Sequence, residues 1–182
     1  MVVTAVLLAA CGGGDESPQS ATDDGATSTQ APAGGKKAGA TDICKLFPPE
    51  KVAAFLKTEI GFAGPSHSED ETRVTDFCKY AYREQTSTSG ASIATVRFPN
   101  VEAAQVGFQQ KTQSSTTQPV TGIGDEAKTH GPRENASARF GTVILTVSIV
   151  NVDRTAAAVE RHVAQLKEFL RIVAEHLKPI LK

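Results

Sequence analysis

Three cysteines and four histidines hold most of the chemistry open to this chain of 182 residues. Cys11 closes an apolar run, Val2 to Ala10, and is followed directly by Gly12-Gly13-Gly14. Leu8-Ala9-Ala10-Cys11 has the pattern of a bacterial lipobox. Small residues at Ala9 and Ala10 suit a peptidase pocket, and the glycines keep the cut site extended. Cys11 would be diacylated on its sulfur and become the new N-terminus after cleavage. Residues 1–11 are therefore expected to form a lipoprotein signal. Met1-Val2-Val3-Thr4 brings no Lys or Arg, and the run is shorter than the roughly 15–30 residues of a secretory signal. Either the true start lies upstream or the lipobox match is accidental, and the sequence after Cys11 argues for the first.

An odd cysteine count in an exported protein asks for an explanation. With Cys11 taken by lipid, Cys44 and Cys78 are left to pair in an oxidising compartment, in preference to remaining as two buried thiols. Such a bridge would restrict the unfolded chain by roughly 3–4 kcal/mol in the loop-entropy picture. Neither cysteine sits in a C-x-x-C or has a histidine at ligand spacing, so no metal site is expected.

The remaining candidates are weaker. His67-Ser68-Glu69-Asp70-Glu71 is the densest acidic cluster. Carboxylates of that density suit a hard cation, yet a loop run of this kind is more often simply solvated. Gly122, Gly124 and Ala127 formally fit the dinucleotide fingerprint G-x-G-x-x-A, but Lys128-Thr129-His130-Gly131-Pro132 cannot continue as the helix it requires. His162 and His176, fourteen apart on one helix, would be separated by about 21 Å and cannot share a metal. His67 and His130, at or in expected loops, are the candidates for acid-base work. No Ser-x-x-Lys, Gly-x-Ser-x-Gly or His-Glu-x-x-His occurs.

The elements that would position these residues follow from composition and periodicity. Residues 12–40 contain no Val, Ile, Leu, Met or aromatic residue, so they cannot bury enough apolar surface to offset chain entropy. They are expected to be a disordered tether with an end-to-end distance on the order of 30 Å. Residues 41–182 are expected to form one domain. Pro48-Pro49-Glu50 opens a helix carrying Val52, Phe55, Leu56 and Ile60, which Gly61 and Gly64-Pro65 stop. Phe77–Arg83 alternates as a strand, with Cys78, Tyr80 and Tyr82 on one face, and pairs across a turn at Ser87–Gly90 with a strand marked by Ala94, Val96 and Phe98. Asn100 caps a helix to about Gln113, with Val101, Ala104 and Phe108 facing in. Strands follow at Glu126–His130, before Gly141, and at Thr142–Val150. A final helix runs from about Thr155 to Leu177, capped by Asp153, with Val159, Val163, Leu166, Leu170, Val173 and Leu177 in one apolar stripe. The order predicts an α+β fold: a single domain, an antiparallel sheet with helices packed mainly on one face, and a long C-terminal helix. The two halves read as a weak repeat of helix followed by strands.

Three pieces together look familiar: Cys44-x-Leu46 before the Pro48-Pro49-Glu50-x-Val52-Ala53-Ala54 helix, then Cys78-x-Tyr80, then Gly122-Ile123-Gly124-Asp125-Glu126-Ala127. They resemble the small cell-envelope lipoproteins of actinobacteria, families mostly of unknown function with an early Asp-Pro-Cys and a later Cys-x-Trp. This chain has Ile43 in place of that proline and Tyr80 in place of that tryptophan. The resemblance implies an envelope location and the Cys44–Cys78 bridge, and it supplies no catalytic residues.

Lys and Arg number 19 against 20 Asp and Glu, for a net charge of −1. No basic field for nucleic acid results. No stretch of about 18 apolar residues is present to span a bilayer. The reading is a lipoprotein held at the extracytoplasmic face of the cell membrane through Cys11. It would act as a binding module for an apolar ligand, such as a lipid, or for an envelope protein partner, without cofactor or metal. The alternative is a cell-envelope enzyme with an unrecognised active site.

Overall fold

The computed structural model describes residues 40–83, 90–131, 134–150 and 155–182. Cys11, the residues before it and residues 12–39, expected as a tether, lie outside them, as do residues 84–89, which include most of the turn expected at Ser87–Gly90. The fold is α+β. Asp42 caps a single-turn helix α1 (Ile43–Leu46), accepting from Lys45 N at 3.1 Å. Helix α2 (Pro49–Leu56) starts on a proline and ends where Lys57 turns left-handed. Three strands follow, β1 (Ile60–Glu69), β2 (Val74–Tyr82) and β3 (Gly90–Arg97), then helix α3 (Val101–Thr112). Strands β4 (Gln118–Pro119), β5 (Glu126–His130), β6 (Asn135–Phe140) and β7 (Val143–Ile149) lead to the long helix α4 (Ala156–Leu177).

The seven strands form one antiparallel sheet in the order β1-β2-β3-β7-β6-β5-β4. Two meanders thus meet at β3 and β7, where Ala91 faces Ile149, Ile93 faces Val147 and Thr95 faces Leu145. Alternation places Cys78, Tyr80, Ala91, Ile93, Leu145, Val147, Ala136 and Ala138 on one face. That face is fully buried beneath α1, α2 and α4, which contribute Ile43, Phe47, Val52, Leu166, Phe169, Leu170, Val173 and Leu177. Side chains of this kind each contribute about 1.5–3 kcal/mol on burial, so the apolar stripe of α4 is the largest single source of core. Helix α3 lies on the opposite face, Phe108 and Ala104 inward, with Lys128 Nζ 5.6 Å from the Phe108 ring centroid.

Several expectations are corrected. The first helix stops at Leu56, and Ile60 opens β1 instead of closing the helix. The segment Gly61–Glu69 read as a loop because of Gly61 and Gly64-Pro65; it is a strand at the sheet edge, where one side needs no hydrogen-bond partner and proline is tolerated. His67 lies in that strand and His130 ends β5, so neither is in a loop. Val101 is half exposed rather than inward. Thr155, not Asp153, caps α4, its side chain accepting from Ala158 N; Asp153 lies outside the described residues. The halves do share three antiparallel strands, but the helix preceding each packs on opposite faces, so the repeat is confined to the strands.

Cys44 and Cys78 are bonded, with Cα atoms 5.3 Å apart. Beside them the buried Tyr80 hydroxyl donates to the Phe47 carbonyl at 2.6 Å. Together they pin α1 to the middle of β2. Burial raises the Tyr80 pKa well beyond its ordinary value, so the phenol stays a donor. Replacing both cysteines by alanine is expected to cost about 3–4 kcal/mol of unfolding free energy, read from urea titrations of oxidised wild type and variant. An unchanged urea midpoint would show that the bridge does not restrain the unfolded chain.

Candidate functional site

The polar groups most capable of chemistry are used within the fold. On the face beneath α3, His130 Nε2 lies 2.8 Å from Ser137 Oγ, and Ser137 Oγ lies 2.8 Å from Thr146 Oγ1. The first distance is that of a nucleophile and its base. However, Ser137 is fully buried, and the third member is a hydroxyl rather than a carboxylate. Burial, assisted by the Lys111 charge, pushes the His130 pKa down to about 4. The neutral imidazole is therefore one link in a sealed hydrogen-bonded chain.

His67 pairs across strands with Asp76, Nδ1 to Oδ1 at 2.7 Å. The same carboxylate oxygen accepts from Thr41 N at 3.1 Å. Sequence alone gives no sign of this His–carboxylate pair, because Gly61 and Gly64-Pro65 disguise β1 as a loop. It ties the sheet edge to the start of the domain. In the acidic cluster, Asp70 accepts from Thr72 N, Thr72 Oγ1 and Arg73 N, which shapes the β1–β2 turn and lowers its pKa through the Thr72 hydrogen bond first. Among the described residues no three His, Cys, Asp or Glu side chains come together to hold a metal ion. Among them, too, no helix is long and apolar enough to cross a membrane.

The Gly122–Ala127 motif has a structural explanation for most of its residues. Gly124 has φ +61°, and a Cβ there would meet the Arg139 carbonyl oxygen at 2.3 Å, so only glycine fits. Asp125 N donates to that same oxygen at 2.8 Å. The Arg139 guanidinium donates to Glu126 at 2.7 Å and to Asp125 at 2.8 Å, and Ala127 is buried in the core. Gly122 is different: its φ is +78°, but nothing lies within 4 Å of where its Cβ would be.

Two concavities flank the C-terminal half of α4. The first is an open groove between α2 and α4, lined by Phe47, Ala54, Phe55 and Ile172 and edged by Lys51, Arg171, Glu175 and His176. Its aromatic floor is organised: Phe55 stacks on Phe169 at 5.0 Å, and Phe47 meets Phe169 edge-on at 6.0 Å. The Lys51 ammonium donates to His176 Nε2 at 2.8 Å and sits 5.9 Å from the Phe47 ring centroid. The second is a cavity of about 240 Å³ between the Gly122–Gly124 loop and the last turns of α4. His176 thus lies at the groove, whereas His162 is buried further up α4, and the two do not meet.

No family model and no curated protein matches this chain. Among solved structures, the extracellular domain of PknH from Mycobacterium tuberculosis aligns with a TM-score of 0.38 and 12% identity, over 68% of this chain and 91% of that one. That likeness is too distant to bear on fold or ligand.

Because the pKa of His130 in the folded protein lies below the roughly 6.5 of an unfolded histidine, acid favours unfolding. Its contribution is complete above about pH 6.5 and is lost as pH falls towards 4. His162, also lowered chiefly by burial, acts in the same direction. Urea midpoints are expected to drop between pH 7 and pH 5, and less steeply in His130→Gln. An equal slope in the variant would mean that His130 is not buried in its neutral form.

Proposed function

We propose that this chain is a binding module held at the extracytoplasmic face of the membrane by lipid on Cys11, and that it takes an apolar group in the groove between α2 and α4. The observation that carries the reading is the groove itself. Phe55 and Ile172 present apolar surface to solvent between two helices over a floor formed by the buried Phe47, and Ile172 is 38% exposed although it belongs to the domain's main core helix. Sites for small ligands are concave and largely apolar, with a few polar groups at the edge, which describes this one. The sealed Ser137–His130 pair offers no route for a substrate, and His67 and Asp76 are committed to each other and to Thr41. The lipobox and the disulfide support an envelope location, since such bridges persist outside the cytosol. A cysteine bearing two or three acyl chains supplies the multiple contacts that stable anchoring needs.

Two measurements separate anchor from module. Metabolic labelling with a fatty-acid probe is expected to mark the wild type and not Cys11→Ala; equal labelling would remove the anchor. Native mass spectrometry of the full chain, exported in an actinobacterial host and purified without denaturant, is expected to show an apolar adduct beyond the covalent acyl chains. Ile172→Glu, at an exposed position, should lower its occupancy at least tenfold while leaving the fold intact. A bare mass for the wild type would overturn the small-ligand reading and direct attention to an envelope protein as the groove's occupant.

A further inference from the structure

The cavity beside Gly122 has a different chemistry from the groove. We propose that it is an oxyanion site, one that receives a phosphate-type head group carried on a short apolar body. Three observations meet there.

The first is backbone. Gly122 and Gly124 have φ of +78° and +61°, and Ile123 between them does not share the positive sign. Alternation of this kind turns successive N–H groups towards one side and makes a concavity for anions. Among the described residues no acceptor is recorded for the N–H of Gly122, Ile123 or Gly124, although the flanking Val120 and Asp125 both donate, to Ala127 and Arg139. Packing accounts for Gly124 but not for Gly122, whose Cβ position is empty. The left-handed φ already calls for glycine at 122, and the empty space around it leaves the backbone open to close approach by a ligand.

The second is charge. Arg171, Lys178 and Lys182 line the cavity with one carboxylate side chain, Glu175, which lies 3.8 Å from Lys178 Nζ, while Arg171 donates to Glu168 outside the lining. Part of this cation excess answers the electronegative C-terminal end of α4. Asp125 and Glu126, the acidic residues nearest the loop in sequence, are held away on Arg139.

The third is the lining. Ile123, Phe140, Ala174 and Leu181 make the rest of the wall. Leu181 is buried, and the terminal turn is fastened by Arg97 Nη2 donating to the Ile180 carbonyl at 3.1 Å. At about 240 Å³ the cavity is smaller than the roughly 300–1,000 Å³ of common ligand sites. It would hold a head group and the first part of one alkyl chain, not a two-chain lipid.

The proposal does not rest on the groove: the two concavities share Arg171 and Glu175 but have separate floors. It is tested by two-dimensional amide NMR of the full chain, titrated in parallel with hexyl phosphate and with inorganic phosphate. Hexyl phosphate is expected to shift the Gly122, Ile123 and Gly124 amides with an affinity at least tenfold above that of inorganic phosphate. The α2 amides, which report the groove, should stay still. Lys178→Gln and Arg171→Gln, both at exposed positions, should together weaken hexyl phosphate at least tenfold while the amide spectrum stays that of the folded domain. Gly122→Ala, which meets no neighbouring atom but strains the left-handed backbone of the loop, should weaken it as well. Equal affinity for inorganic phosphate would overturn the apolar body and identify free phosphate as the source. Absence of shifts with both probes, or unchanged binding in the double charge variant, would overturn the site. Shifts confined to α2 would do the same while leaving the groove reading in place.

Discussion

The pairing of β3 with β7 is the constraint on which the rest of the molecule depends. Each meander alone is a small sheet of three or four strands, with one apolar face and too little area to bury it. Joined at this seam, they present a continuous apolar surface running from Tyr80 through Ile93 and Val147 to Ala138. That surface is wide enough for α4 to lie on along its whole buried stripe. The partners Ala91–Ile149 and Ile93–Val147 are distant in the chain, so loop closure opposes the pairing until α4 rewards it. Sheet assembly and α4 docking are in this sense one event. A change at Ile93 or Val147 would weaken both meanders and the helix together.

Covalent restraint is placed where this core is thinnest. Helix α1 has a single turn and cannot hold itself by internal hydrogen bonds. The Cys44–Cys78 bond and the Tyr80–Phe47 hydrogen bond fix it to β2, and in doing so they fix Phe47. Phe47 in turn meets Phe169 and His176. A cysteine pair that looks like a generic staple therefore sets one wall of the α2–α4 groove, about which sequence said nothing.

What sequence made legible was periodicity on faces that meet water on one side only. The stripe on α4, the alternation at Cys78-x-Tyr80 and the apolar face of Val143–Ile149 announce themselves, and from them the α+β class follows. What it concealed were residues whose meaning depends on a partner element. Gly61 and Gly64-Pro65 are breakers by local chemistry, and only their place at an edge lets β1 form. Without β1 the His67–Asp76 pair has no address. Ser137 and Thr146 alternate with apolar residues as solvent-facing positions should, yet α3 covers them, and His130 completes a buried chain instead of a loop. Phe169 lay beside the counted stripe and proved to be the aromatic link between α2 and α4. The Gly122–Ala127 run was recognisable as a motif. That its Asp125 and Glu126 serve Arg139 could not be read before β6 was placed against β5.

The same division explains why both concavities gather at one end of α4. Over most of its length the helix is matched to the sheet, and Leu166, Leu170 and Val173 leave no space beneath it. Towards its C-terminus the neighbours change from the sheet to α2 on one side and to the Gly122–Gly124 loop on the other. Neither neighbour is long enough to cover the flank presented to it: α2 has eight residues, and the loop brings a backbone with few side chains. Arg171 and Glu175 therefore form a ridge with unfilled volume on both sides, apolar towards α2 and cationic towards the glycines. A helix flank that meets only short neighbours leaves such volume unless side chains are spent to fill it. Part of each lining is small: Ala54 in the groove, Ala174 and two glycines in the cavity. Filling either space with larger residues would add burial of the kind that stabilises the rest of the domain. That this chain leaves both open, while closing the space under α3 around buried polar groups, is the contrast on which the proposed binding at this end of α4 rests.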